Sequence, residues 1–270
     1  MRFVFLLLLT CVVSPTVLGQ NDTTVLIGGG SSVRVIYHLV SNDKPLVVLQ
    51  AGARSHSEAW SALIPDLIEE GYSVLSYDRP GLGLSDPSKG DRTGMMISME
   101  LRGLIRRMNI NKELILVGHS MGGMYQSIYN DFYPESVKGL VMIDTPSSAW
   151  EELLRACLTR NQNEARDSSL TAMRAVQNEA VRREHMGAGT SFDYMENIKL
   201  KNSLIIISGG QQSWPEDYDG DCLSEAWEVV QSSLKNLNDE AVHWVSESSG
   251  HGIPHQDPEI IIKAIKLLSK

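Results

Sequence analysis

Beyond residue 20 the chain alternates short runs of Val, Ile and Leu with longer stretches whose apolar residues recur every three or four positions. The short runs read as strands and fall at 33–40, 45–50, 72–77, 113–117, 137–143, 203–208 and 241–245. The amphipathic stretches between them, at 58–70, 94–108, 121–132, 223–236 and 258–269, read as helices. Strand, loop and helix in repeated succession is the pattern of a largely parallel sheet covered on both faces, so the expected fold class is α/β, a mostly parallel central sheet flanked by helices. Residues 147–201 break the rhythm. They are rich in charge, longer than one crossover helix, and carry two amphipathic stretches at 150–158 and 169–183. Such an insertion reads as a short helical cap over the sheet, and its plainer reading is a long crossover on the sheet's flank.

A chain of 270 residues, 42% hydrophobic, can bury one large core, and 20–270 is expected to form a single domain. At the start, Arg2 is followed by an apolar run over 3–13, then Pro15 and the small-residue site Val17-Leu18-Gly19. This is the pattern of a cleavable signal peptide over 1–19, because the run falls short of the roughly 18 to 20 apolar residues that a membrane span requires. Secretion, or the lumen of the secretory pathway, is the expected location. Cleavage there exposes Gln20 and, next to it, Asn21-Asp22-Thr23, an N-glycosylation acceptor sequence. A formal charge of −9 makes nucleic acid a poor partner and suits a solvated surface. Of the three cysteines, Cys11 leaves with the signal, and Cys157 and Cys222 are either one disulfide or two buried thiols.

Gly118-His119-Ser120-Met121-Gly122-Gly123 follows the apolar strand 114–117 and precedes a helix. A serine on that sharp turn has its hydroxyl exposed at the strand's end, and the helix beginning at Met121 aims free N–H groups at any oxyanion formed there. A serine hydroxyl needs a base to become a nucleophile. His119 is expected to point away from the site. His38 and His243 lie inside strand patterns, and His56 and His185 lack a strand-end position. His251 follows the strand 241–245 in Ser249-Gly250-His251-Gly252, where flanking glycines let the backbone bring an imidazole to the sheet's end. Cys157 and Cys222 have no Cys or His at ligand spacing, and Gly28-Gly29-Gly30 lacks the lysine and the context of a phosphate loop, so neither a metal nor a cofactor is expected.

With these motifs the chain resembles the α/β-hydrolase superfamily over nearly its whole mature length. Asp78-Arg79-Pro80-Gly81-Leu82-Gly83-Leu84-Ser85 is similar to that family's Asp-x-x-Gly-x-Gly-x-Ser loop, a marker with no catalytic part, and the order Ser120, carboxylate, His251 is the family's triad order. The resemblance implies an oxyanion hole from the N–H groups of Ala53 and Met121, with Gln50-Ala51-Gly52-Ala53 in place of the commoner His-Gly. The family's usual acid position, after the strand 203–208, holds Gly209-Gly210-Gln211-Gln212-Ser213 and no carboxylate. Asp144, which closes the preceding strand, is the favoured acid; Glu216 and Asp217 are the alternatives. A serine at the elbow excludes the branches with an aspartate nucleophile, such as epoxide hydrolases. The expected activity is hydrolysis of a small-molecule acyl substrate, a carboxylic ester foremost. A peptidase, amidase, thioesterase or acyltransferase, or a catalytically silent binding protein, would share the same residues. Met121, Met124, Met173, Met186 and Met195 either line an apolar acyl pocket or serve as packing.

Overall fold

The structure, a computed structural model, describes residues 21–27, 30–88 and 90–270. The signal-peptide reading of 1–19 and two of the three clustered glycines, Gly28 and Gly29, lie outside the described residues. Eight described strands, β1 Asn21–Leu26, β2 Ser32–His38, β3 Leu46–Gln50, β4 Ser73–Tyr77, β5 Leu114–His119, β6 Val137–Ile143, β7 Ser203–Gly209 and β8 Val242–Ser246, form one sheet. Its order is β1-β2-β4-β3-β5-β6-β7-β8. The pairs β1/β2 and β2/β4 are antiparallel, and every pair from β4 to β8 is parallel. The helices are α1 Leu63–Glu69, α2 Gly94–Arg107, α3 Met121–Phe132, α4 Ala149–Cys157, α5 Arg160–Val176, α6 Glu179–Glu196, α7 Gly220–Ser233, α8 Ile253–Gln256 and α9 Pro258–Leu268.

The central strands are apolar throughout because both of their faces are covered. One face, with Val48, Leu116, Leu140, Met142 and Ile206, packs on α2 and α3; the other, with Val47, Val117, Val141, Ile143 and Ile207, packs on α1 and α9. In α2 the buried Ile97, Leu101, Leu104 and Ile105 recur at helical spacing. Each such side chain contributes about 1.5–3 kcal/mol by leaving water.

Three elements depart from the sequence pattern. The edge strand β1 was not expected, since Asn21-Asp22-Thr23-Thr24 has no apolar periodicity; its order comes from pairing with β2, reinforced by Arg34 on Asp22 at 2.9 Å. The expected helix 58–70 is broken into a short 3-10 turn at Ser57–Trp60 and α1. Pro65 has no N–H to give and would clash with the preceding turn of a continuous helix, so it is accommodated in the first turn of a helix that starts at Leu63. The expected helix 169–183 straddles a corner. Gln177 and Asn178 are extended, and the Asn178 Oδ1 accepts from Val181 N at 2.9 Å, capping α6.

The insertion between β6 and β7 forms α4, α5 and α6. Helix α6 packs on α2 and α3 and on the loop after β4, where Ala180 meets Gly81 and Asn178 donates to the Gly81 carbonyl at 3.1 Å. Helix α5 buries none of its residues, and α4 lies on α7. Cys157 and Cys222 are bonded, joining α4 to α7 amid Leu154, Leu158 and Leu223. Their separation of 65 residues gives the cross-link about 4 kcal/mol in the chain-entropy account. Among the described residues no helix is long and apolar enough to cross a membrane.

Candidate active site

Ser120 sits between β5 and α3 with φ 54° and ψ −130°, a backbone conformation that costs a non-glycine residue about 1–3 kcal/mol and concentrates at functional sites. The sequence requires this turn to be tight. A Cβ on Gly118 would lie 2.4 Å from Gly122, and one on Gly122 would lie 2.1 Å from the Gln50 carbonyl, so the flanking glycines let strand and helix close on each other. The turn is anchored by Ser120 N donating to Ile143 O at 2.8 Å. Met121 is the first residue of α3, and its N–H has no acceptor within the helix. Gly52 approaches from the end of β3; a Cβ there would meet the Ser120 Cβ at 3.0 Å.

His251 lies in the turn between β8 and α8, and its Nδ1 is 2.6 Å from Asp144 Oδ2. Asp144 directly follows β6, is fully buried, and also has positive φ, 46°. Its carboxylate is saturated with donors: Oδ1 accepts from Trp227 Nε1 at 3.0 Å and Gly209 N at 3.0 Å, and Gln212 Nε2 lies 3.2 and 3.1 Å from its two oxygens. A buried charge is tolerable only when so paired. Glu216 and Asp217 are exposed and neither contacts His251. The turn directly after β7, residues 210–213, holds no carboxylate; Gln212 from that turn and the Gly209 N–H at the strand's end are instead directed to Asp144 one strand away.

Ser120, His251, Ala53, Arg54 and Ser55 line one cleft of about 420 Å³. His119 and His255 line it too, so the expectation that His119 points away is corrected. Its ring stands 4.6 Å from that of His251, and its Nε2 donates to the His251 carbonyl at 2.7 Å, fixing the turn that carries His251. Two consecutive residues on the elbow therefore both face the cleft, because the backbone reverses at Ser120. The methionines do not line this cleft. Met121, Met124 and Met195 are core residues, Met173 contacts the Arg54 guanidinium outside, and Met186 is exposed. His38 is buried in β2, His243 bonds Ser208 at 2.8 Å, His56 lies with its Nδ1 3.9 Å from Asp78 Oδ1, and His185 lines a separate cleft with Glu151 and Asp167. Trp227, Gln212 and His119 are site residues that sequence reading passed over. Only the run of side-chain donors where an acid is usual could have hinted at Gln212.

Enclosure in the cleft wall, with the His251 ring as the second cause, pushes the His119 pKa down to about 4, against an ordinary 6.5. Between those values the unfolded chain holds more protons than the folded one. The stability from keeping His119 neutral is thus full above about pH 6.5 and lost as pH falls toward about 4. His185 and His243, also lowered chiefly by burial, act in the same direction. An NMR titration should find the His119 imidazole unprotonated until pH nears 4, with a shallower acid loss of stability in His119→Gln; a midpoint near 6.5 would refute the assignment.

A second buried cluster adjoins the cleft. Arg79, at the end of β4, pairs through Nε and Nη2 with both oxygens of Glu184 on α6 at 2.9 Å each, and donates from Nη1 to Ala51 O at 2.6 Å and from Nη2 to Gly52 O at 2.8 Å. Arg92 bridges Glu184 at 3.4 Å and Glu100 at 2.5 Å. Burial by itself would raise the Glu184 carboxyl, but Arg79 and Arg92 hold it below its ordinary value.

A mostly parallel sheet of eight described strands, with a serine elbow, a strand-end histidine and a helical insertion after β6, is the architecture of an α/β hydrolase. The family described as alpha/beta hydrolase fold matches residues 44–219, and the chain belongs to it. Protein YqjL of Bacillus subtilis (strain 168) is 24% identical over 228 residues, 81% of each chain. A proline iminopeptidase of Clostridium botulinum is 30% identical over 146 residues, 53% of this chain and 50% of that one. Among solved structures, a thermophilic esterase from Thermogutta terrifontis superposes with a TM-score of 0.65 at 17% identity, over 93% of this chain and 100% of that one. That likeness is one of fold.

Proposed function

We propose that the protein is a secreted serine hydrolase that cleaves a carboxylic ester through an acyl-enzyme. The observation that carries this reading is the Asp144 Oδ2 to His251 Nδ1 contact of 2.6 Å at a cleft that His251 shares with Ser120. Asp144 fixes the imidazole tautomer so that Nε2 is free to take the Ser120 proton. The Ser120 Oγ then attacks the acyl carbonyl, and its oxygen, now an anion, accepts from the N–H groups of Ala53 and Met121. Collapse of the tetrahedral intermediate expels the alcohol, protonated by His251. A water activated by the same imidazole releases the acid and restores Ser120.

An ester is favoured over a peptide with a free amino terminus. Such a substrate carries an ammonium group that calls for a carboxylate, and none of the described residues lining the cleft is acidic while Arg54 is among them. The silent binding-protein reading rested on the missing acid after Ser208, and Asp144 beside His251 removes that ground. Secretion is supported by the apolar leader over 1–19 and by the Cys157–Cys222 bond, which belongs to an oxidising compartment. The test uses protein recovered from the medium of expressing cells. Its mass should place the N-terminus at or near Gln20, a fluorophosphonate should label it once at Ser120, and it should turn over p-nitrophenyl esters. Intact Met1 would overturn export, and a protein inert to the probe would overturn catalysis.

A further inference from the structure

The Asp78 to Ser85 loop, read from sequence as a marker without catalytic part, carries a residue that reaches the reacting centre through the backbone. Arg79 is 1% exposed, yet it spends one edge of its guanidinium on two consecutive carbonyls, Ala51 O at 2.6 Å and Gly52 O at 2.8 Å. In an extended chain successive carbonyls point to opposite sides, so two on one cation mark a loop bent around that charge. The Gly52 carbonyl and the Ala53 N–H belong to one planar trans peptide, in which C=O and N–H point in opposite directions. Holding the Gly52 oxygen on Arg79 therefore turns the Ala53 N–H away from the guanidinium. Gly52 abuts Ser120, with a built Cβ 3.0 Å from the Ser120 Cβ, and Ala53 lines the cleft that Ser120 opens into.

The other edge of the same guanidinium is held in a two-point pair by Glu184. Glu184 stands on α6, in the insertion. The groups facing Arg79 are Glu184, Tyr77 and the Tyr125 ring at 5.3 Å, with Arg92 and Glu100 behind Glu184, so two cations and two carboxylates balance inside the protein. Only a planar fork can satisfy two carbonyls on one side and a carboxylate on the other; a lysine ammonium cannot.

We infer that Arg79 is a positioning residue that aims the Ala53 N–H at the oxyanion, and that Glu184 locks it, making the helical insertion a working part of transition-state stabilisation. This rests on the proposed acyl chemistry. The experiment compares wild type, Arg79→Lys and Glu184→Gln with p-nitrophenyl butyrate and with a trifluoromethyl ketone whose adduct carries the oxyanion. Active sites are counted by the fluorophosphonate endpoint and folding by thermal melting. Arg79→Lys should lower kcat per active site by about ten- to a hundredfold, less than the roughly 10²–10³ that loss of a whole oxyanion donor costs, because the donor is misaimed and not removed. The ketone's affinity should fall in parallel while KM stays within about threefold, since ground-state binding does not use the donor. Glu184→Gln should show the same pattern more weakly, because it loosens only the outer edge of the fork.

Either folded variant with wild-type kcat and ketone affinity would overturn the inference, as would a change confined to the melting temperature. Failure of both variants to fold would assign Arg79 to structure alone. A wild type inert to ester and probe would fail the proposed function itself, a result distinct from an active wild type with an unaffected Arg79→Lys.

Discussion

Ser120→Ala should lower kcat toward an ester by on the order of 10⁴ to 10⁶ while leaving the melting curve unchanged and abolishing fluorophosphonate labelling. The magnitude follows from what is removed. Without the hydroxyl there is no acyl-enzyme, and what remains is the slower attack of water assisted by the Ala53 and Met121 donors. Folding should be spared because Ser120 holds its turn through its backbone, N–H to Ile143 O and carbonyl to Gly123 N, which Ala retains. His251→Ala should cost a similar factor, and the double variant little more than either alone, since the two act as one unit. A Ser120→Ala protein that hydrolyses at the parent rate would dismiss the assignment. A double variant whose losses multiply would separate Ser120 from His251.

The second large effect is at the acid. Asp144→Asn should reduce kcat by about 10⁴, because the amide can donate to Nδ1 and so hold the imidazole in the wrong tautomer. The four partners make the expectation sharper than for an exposed acid. Trp227, Gly209 and Gln212 donate to the carboxylate oxygens and can hold the substituted amide in nearly the same place, so position is kept and charge is lost. The fluorophosphonate rate should fall with kcat, and a crystal structure of the Asp144→Asn variant should find the new side chain superposed on the parent carboxylate. Glu216→Gln and Asp217→Asn, both exposed, should change kcat by less than about twofold, as surface substitutions away from a site do. The opposite ordering, a silent Asp144→Asn beside a disabling change at 216 or 217, would transfer the acid's role to the loop after β7.

Much of this protein was legible one residue at a time. Both-sided burial forces continuous apolar strands, so β3, β5, β6 and β7 stand out in the sequence almost to the residue, and the need for small residues at a sharp strand-to-helix turn makes Gly118, Ser120 and Gly122 readable without coordinates. His251 stands out in the sequence for a similar reason, as glycines flanking a strand-end histidine have few uses. Where a signal depended on partners far along the chain, sequence was silent or misleading. Strand β1 has no periodicity of its own and exists because β2 has an open edge. The corner at Gln177 and Asn178 is set by what α6 must dock against. Sequence left three carboxylates open for the acid because a strand's end fixes where a residue is, not what it touches. The parallel pairing of β6 with β7, and the turn after β8, bring Asp144 to His251 across 107 positions. The same is true of Arg79, which local pattern classed as a marker. Its two carbonyls lie 27 and 28 positions away and its carboxylate 105, and only the folded chain closes those distances.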